Sequence, residues 1–341
     1  MVKAVRVHTI GGRHHLQLEN VELPHPGCNE VEVRHRAIGL NYPDLEDCKG
    51  EGHHAHHSVF TPGSSAVGVI TELGTGVLNH RIGQRVGYVN PPNKGAFSEA
   101  SILPTSCLVP IPSNITDEEA AVLLFPGLTA WMLLKKLRPI RHGDAILVHN
   151  VESGLGSIIA QWAKHLEAFV IGTVSSENDV ERARKNIAGC SEVVVVKSGC
   201  CEFADEVKEL TAGEGVAVVF DLVGKSTFMG SLDCLAPKGM LVSLGATGGD
   251  APMLNFKDLA GKGSLTVAVP VLGDYVKHQE EILEGAQLLF ELHKAGEIKV
   301  EIAKKIPLDT ISKELDVMTK REAVESCVLI PPVPDPKNYY S

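Results

Sequence analysis

The residues of this chain with the densest chemistry are Glu152, Ser153, Gly154, Leu155 and Gly156. They lie within AILVHNVESGLGSIIAQWAK, residues 145–164, which reads as a buried strand, a tight turn and a helix. A nucleotide-binding βα unit has this order. Glycines let the backbone approach a pyrophosphate, and the helix start offers N–H groups and a positive dipole end. Ser153, Gly154, Leu155 and Gly156 are therefore candidate cofactor-binding residues. Glu152 is the odd member, because a carboxylate in the turn would face the anion. Two like unit charges about 5 Å apart repel by roughly 3 kcal/mol at an effective dielectric of about 20, on the order of a hundredfold in affinity. Turned to solvent, the same carboxylate would be largely screened.

The elements that must position this turn follow from the pattern along the chain. Residues 1–123 read as all-β, with short alternating runs such as VEVRHRAIGL, SAVGVITELG and RIGQRVGYV. No helical period is legible before Asp117, where Thr116-Asp117-Glu118-Glu119 opens a helix with acids in its first turn. From 124 to 267, strands alternate with helices: Ala145–His149, Phe169–Val174, Val193–Val196, Val216–Leu222, Met240–Leu244 and Ser264–Val267, with Gly156–Leu166 and Asp179–Ala188 among the helices. This pattern predicts an α/β fold, a Rossmann doubly wound parallel sheet beside a β-rich unit. Gln279–Ala295 is an amphipathic helix and Cys327–Ile330 a last strand; the proline-rich tail 331–341 is expected to be mobile.

Bulk properties narrow the partners. The chain has 341 residues, 44% of them hydrophobic and 22% charged, which suits a globular protein with a large core. A formal net charge of -10 argues against nucleic acid or an anionic membrane surface. No run reads as a membrane span and none as a signal peptide, so the expected location is cytoplasmic. The eight cysteines include no CxxC pair; they read as thiols rather than as a disulfide framework or a zinc lobe.

With these motifs in view, the chain resembles the zinc-free quinone oxidoreductase branch of the medium-chain dehydrogenase/reductases. The resemblance rests on AIGLNYPD at 37–44, PGSSAVGVI at 62–70, IGQRVGYV at 82–89, GAFSEA at 95–100, GLTAWMLL at 127–134, QWAKHL at 161–166 and the segment Phe220 to Gly245. It covers about residues 1–330. It implies a GroES-like catalytic domain from residues 1–123 and 268–330, a Rossmann domain from 124–267, a homodimer, a small-molecule substrate, and NADPH as hydride donor to quinones or activated alkenes. It also implies Asn41 and Thr129 as catalytic-site residues, beside which Tyr42 and Glu46 are further catalytic candidates, and it matches Thr173 and Arg321 to the cofactor, with Ser175 and Ser176 as further cofactor-binding candidates. GLNYPD and PGSSAV stand where zinc branches carry their ligands, so no catalytic metal is expected.

The departures from that family collect at the cofactor and substrate sites. The phosphate turn of the family is usually AAAGGVG; here residues 150–156 read NVESGLG. Asp179 stands where the family has a lysine for the 2′-phosphate of NADPH, Val196 where it has a tyrosine, and Glu325 where it has a glycine. Arg182, Arg184 and Lys185 are candidate replacements for the lysine, or charges on a solvated helix face. No Asp or Glu ends the second strand to grip a ribose hydroxyl. Glu46 and Gly52 replace tyrosines, and Val269 replaces an arginine beside the nicotinamide. His53, His54, His56 and His57 fill a loop that is mostly apolar in the family; they read as metal ligands, as acid–base groups or as a solvated loop. Three functions stay open: an NADPH-dependent reductase, a redox-neutral isomerase, lyase or cyclase that has lost the dinucleotide, and a noncatalytic homologue.

Overall fold

The structure, a computed structural model, describes residues 1–8, 16–49, 59–92, 95–184, 189–196, 203–245, 247–318 and 326–332. The His53–His57 loop, Gly52, Lys185, Arg321, Glu325 and most of the C-terminal tail lie outside the described residues.

The N-terminal part is built on sheets whose strands alternate buried and half-buried side chains. β1 (Val2–Val7) pairs antiparallel with β2 (Leu16–Val21). A seven-stranded sheet contains β3 (Glu30–Leu40), β4 (Ser65–Leu73), β5 (Arg85–Val89), β6 (Ala100–Pro104) and β7 (Leu108–Pro110). The reading of this region as all-β needs one correction. Tyr42–Lys49 is an α-helix, α1. Pro43 fits in its first turn, where a missing N–H is tolerated. Eight residues make only two turns, too few for a helical period to be read from sequence.

Helix α2 (Asp117–Trp131) joins the two halves. Thr116 and Glu119 form a reciprocal capping box: the Thr116 hydroxyl accepts from the Glu119 N–H at 3.1 Å, and the Glu119 carboxylate accepts from the Thr116 N–H at 3.0 Å. The helix continues as a wider turn from Met132 to Leu137. Asp117–Leu137 is long and apolar enough by composition to cross a membrane, which corrects the reading that no run approaches a span. Its most apolar stretch is 78% buried within the protein. Its side chains share one core with Ala37 and Val67 of the first sheet and Ile146 and Val148 of the second. A helix packed on all sides is apolar on all sides. At the closest approach, a Cβ on Gly39 of β3 would lie 2.5 Å from the Ala121 carbonyl oxygen of α2.

The second sheet is parallel throughout, in the order β10-β9-β8-β11-β12-β13. Its strands are β8 (Ala145–Val148), β9 (Phe169–Val174), β10 (Glu192–Val195), β11 (Val216–Asp221), β12 (Leu235–Ser243) and β13 (Thr266–Ala268). Their runs are continuously apolar because hydrophobic clusters cover both faces. β12 starts five residues before its expected start, across a register shift opposite Val216 and Val218. Helix α3 (Gly154–His165) begins two residues before its expected start, because Ser153 caps it. The expected helix from Asp179 opens instead as a 3-10 turn, Glu177–Asp179, followed by Val180–Arg182.

The chain then returns to the first sheet. β14 (Lys304–Pro307) pairs parallel with β15 (Cys327–Ile330), and β15 pairs antiparallel with β3. That return carries Ser326 to the glycine turn, where its hydroxyl lies 2.8 Å from the place a Cβ on Gly154 would take.

Candidate active site

A cleft of about 930 Å³ lies between the two sheets. It brings together Asn41 just before α1, Tyr42 and Glu46 from α1, Thr129 from α2, and Ser153, Gly154 and Leu155 from the glycine turn. Leu40, Phe125 and Leu272 supply apolar walls. Gly156, Thr173, Ser175 and Ser176 do not line this cleft. They support the turn or the corner beside it.

Asn41 is held by a buried acid. Asp44 accepts hydrogen bonds from the Asn41 N–H at 3.0 Å and the Ser64 hydroxyl at 2.5 Å. The Asn41 side-chain amide donates to Ser65 Oγ at 3.0 Å. The Thr129 hydroxyl donates to the Phe125 carbonyl at 2.9 Å, so only its oxygen lone pairs remain for a ligand in the cleft.

The turn is set from behind. Ser153 Oγ accepts from the Gly156 N–H at 3.0 Å and donates to the Asn150 carbonyl at 2.8 Å. A Cβ on Gly156 would lie 2.3 Å from that carbonyl oxygen, so the close turn requires glycine there. Asn150 itself takes the left-handed conformation, φ 56°.

Below Asn150 runs a buried chain of hydrogen bonds that sequence reasoning missed. Ser231 donates to Asp221 Oδ2 at 2.9 Å, since a carboxylate only accepts. Ser231 Oγ must then accept from His149 Nε2–H at 3.0 Å. His149 Nδ1 is left to accept from the Thr173 hydroxyl at 3.0 Å, and Thr173 Oγ1 accepts from the Asn150 N–H at 3.1 Å. His149 is therefore neutral, and its pKa is lowered by burial against the opposing pull of Asp221. The chain ties the ends of β8, β9 and β11 together under the turn. The one sequence signal for it was Asp221 at the end of a buried strand.

Glu152 does not line the cleft and is half-buried. Its Oε2 accepts from the Ser175 N–H at 3.4 Å and the Ser175 hydroxyl at 3.3 Å, just past the end of β9. Burial first, and the Asp179 carboxyl beside it, push its pKa up to about 7. Of the candidate replacement cations among the described residues, Arg182 pairs with Glu301 at 2.9 Å and Arg184 with Glu192 at 3.0 Å. Val269 is 67% exposed and does not line the cleft, whereas its neighbours Val271 and Leu272 do. Val196 is half-buried against the core on the far face of the sheet. Among the described residues, no three His, Cys, Asp or Glu side chains are grouped to hold a metal ion.

Comparison with known proteins agrees with this architecture. Residues 27–113 match the alcohol dehydrogenase GroES-like domain, and residues 154–291 match the family described as zinc-binding dehydrogenase. The chain is 37% identical to a 2-haloacrylate reductase of Burkholderia sp over 336 residues, 97% of this chain and 99% of the relative. It belongs to the quinone oxidoreductase branch of the medium-chain dehydrogenase/reductases. A quinone oxidoreductase of Pseudomonas aeruginosa is 36% identical over 334 residues, covering 97% of this chain and all of the relative. The crystal structure of Escherichia coli quinone oxidoreductase complexed with NADPH superposes with a TM-score of 0.90 at 33% identity, covering 96% of this chain and 100% of that one. The expected fold, a Rossmann sheet with a GroES-like unit, is the observed one.

Proposed function

We propose that this protein is an NADPH-dependent, zinc-independent oxidoreductase that reduces a quinone or an activated alkene. The observation that carries this reading is the single cleft joining the glycine turn at Ser153–Leu155 to Asn41, Tyr42, Glu46 and Thr129. The names of the relatives, a 2-haloacrylate reductase and quinone oxidoreductases, support the same reaction class. A dinucleotide fits the turn, because Gly154 and Gly156 bring backbone close and the start of α3 favours an anion. Ser153, Gly154, Leu155 and Gly156 would hold the pyrophosphate, with Thr173 and Arg321 assigned to the cofactor on the resemblance and Ser175 and Ser176 as further candidates.

Bound there, the reduced nicotinamide supplies the hydride. The chain positions the acceptor and excludes water through Leu40, Phe125 and Leu272. The Tyr42 hydroxyl donates to the acceptor carbonyl, and Asn41, whose amide is held by Ser65 and Asp44, shapes the wall beside it. Glu46 or a water beside it returns the proton, so two electrons and two protons reduce the substrate. What supports hydride transfer over a redox-neutral reaction is the position of Glu152: it hydrogen-bonds to Ser175 and adds no acid to the cleft.

The catalytic unit is assigned to residues 1–123 and 268–330 and the nucleotide unit to 124–267, in a cytoplasmic homodimer acting on a small molecule. Support for the dimer comes from β13, an edge strand of the parallel sheet. Exposed Met253, Phe256, Val269 and Val271 lie near it in sequence. Calorimetric titration with NADPH and with NADH, followed by loss of nicotinamide absorbance with quinones and 2-haloacrylates, tests the reaction. Saturable binding with turnover supports it, and no binding of NADPH or of NADH at millimolar concentration ends it.

A further inference from the structure

The sequence places no carboxylate at the end of the second strand of the parallel sheet, but the fold delivers one from the adjacent turn. β9 and β8 are neighbours, and the Val151 N–H donates to the Thr173 carbonyl at 3.1 Å, so the turn after β8 is stitched to the end of β9. This brings Glu152 onto Ser175, and the 3-10 turn Glu177–Asp179 sets the Asp179 carboxyl against it. In doubly wound nucleotide folds this corner receives the adenosine ribose. A carboxylate there accepts from the 2′-hydroxyl, and a cation accommodates a 2′-phosphate.

Among the described residues, the corner itself holds two carboxyls, Glu152 and Asp179. A second cavity of about 350 Å³ opens beside it and shares Ser153, Gly154 and Ser326 with the main cleft. The charged and titratable groups lining it with Glu152 are Glu119 from α2, Arg182, His293 from the helix Gln279–Ala295, Lys299 and Glu301. Arg182 pairs with Glu301 at 2.9 Å, and His293 Nδ1 bonds the Ile298 carbonyl at 2.9 Å.

We infer that Glu152, with Asp179 beside it, is the ribose-selecting residue of this chain: its carboxylate accepts the 2′-hydroxyl of NADH and opposes the 2′-phosphate of NADPH. This rests on reading the cleft as a dinucleotide site, and it concerns discrimination between two hydride donors of equal chemistry. Relative to a chain with a neutral side chain at position 152, the wild type is then biased toward NADH and away from NADPH. NADPH is still admitted near neutrality, because the Glu152 carboxyl holds its proton up to about pH 7.

The test is calorimetric measurement of Kd for NADH and for NADPH with the full chain and with Glu152→Gln and Asp179→Asn, near pH 8 and near pH 6. Each variant is expected to shift the preference toward NADPH by about tenfold near pH 8, one screened charge at close range. For Glu152→Gln the shift is expected to vanish near pH 6, where the wild-type carboxyl is protonated. A preference within about twofold of wild type in both variants near pH 8 overturns the inference while leaving the dinucleotide reading intact. Failure of both dinucleotides to bind the wild-type chain overturns that reading and the inference together.

Discussion

Asp44 is fully buried and accepts from the Asn41 N–H and the Ser64 hydroxyl, and so fixes Asn41 in the cleft. Asp44→Ala leaves the Ser64 hydroxyl and the Asn41 N–H short of an acceptor. It is expected to cost about 2–3 kcal/mol in chemical denaturation, since buried unsatisfied donors carry their full desolvation penalty. Turnover falls with it, because Asn41 loses its anchor. Glu152 gives a prediction of opposite character. Its pKa is raised from the ordinary carboxylate value to about 7, so between those values the folded chain keeps a proton that the unfolded chain has lost. Stability contributed by the neutral carboxyl is full below the unfolded value and is lost as pH rises through about 7. Glu152→Gln mimics the protonated form. It should raise the melting temperature near pH 8 and leave it unchanged near pH 4, as scanning calorimetry at the two values would show.

At the scale of elements, the glycine turn depends on what lies beneath it. Gly156→Ala places a Cβ 2.3 Å from the Asn150 carbonyl oxygen, a backbone atom that cannot step aside. The turn must open, and dinucleotide affinity is expected to fall by at least about tenfold in titration. His149→Leu tests the same turn from below. It removes the acceptor of Thr173 and the donor to Ser231 in a fully buried network, and should destabilise by about 2–3 kcal/mol in urea. The strand and helix order was legible because parallel strands buried on both faces are continuous apolar runs punctuated by turn residues. Gln279–Ala295 and Cys327–Ile330 were read with their observed bounds. Helix α1 was not legible, because two turns carry no period and because Asp44 and Asp47 are buried, which blurs any polar face. The cleft was legible at Asn41, Tyr42, Glu46, Thr129 and the glycine turn. Ser326 was not, since nothing local links residue 326 to residue 154.

At the scale of the molecule, α2 lies in one core shared by both sheets, and β13 leaves a sheet edge with exposed apolar residues nearby. If that edge is the dimer surface, Val269→Lys should yield monomers in analytical ultracentrifugation, with the circular dichroism spectrum unchanged. An unaltered dimer would place the contact elsewhere. The sequence alone determined the doubly wound sheet, the β-rich unit and the glycine turn, because hydrophobic period, capping residues and turn glycines act over a few neighbouring positions. Only the tertiary structure decided the direction of Glu152. The turn after β8 lies against the end of β9, so a carboxylate that local sequence would aim at the anion of the turn is held instead against Ser175. The corner at Ser175 is made by two strands whose turns are more than twenty residues apart, and their pairing is a long-range contact that no local pattern encodes.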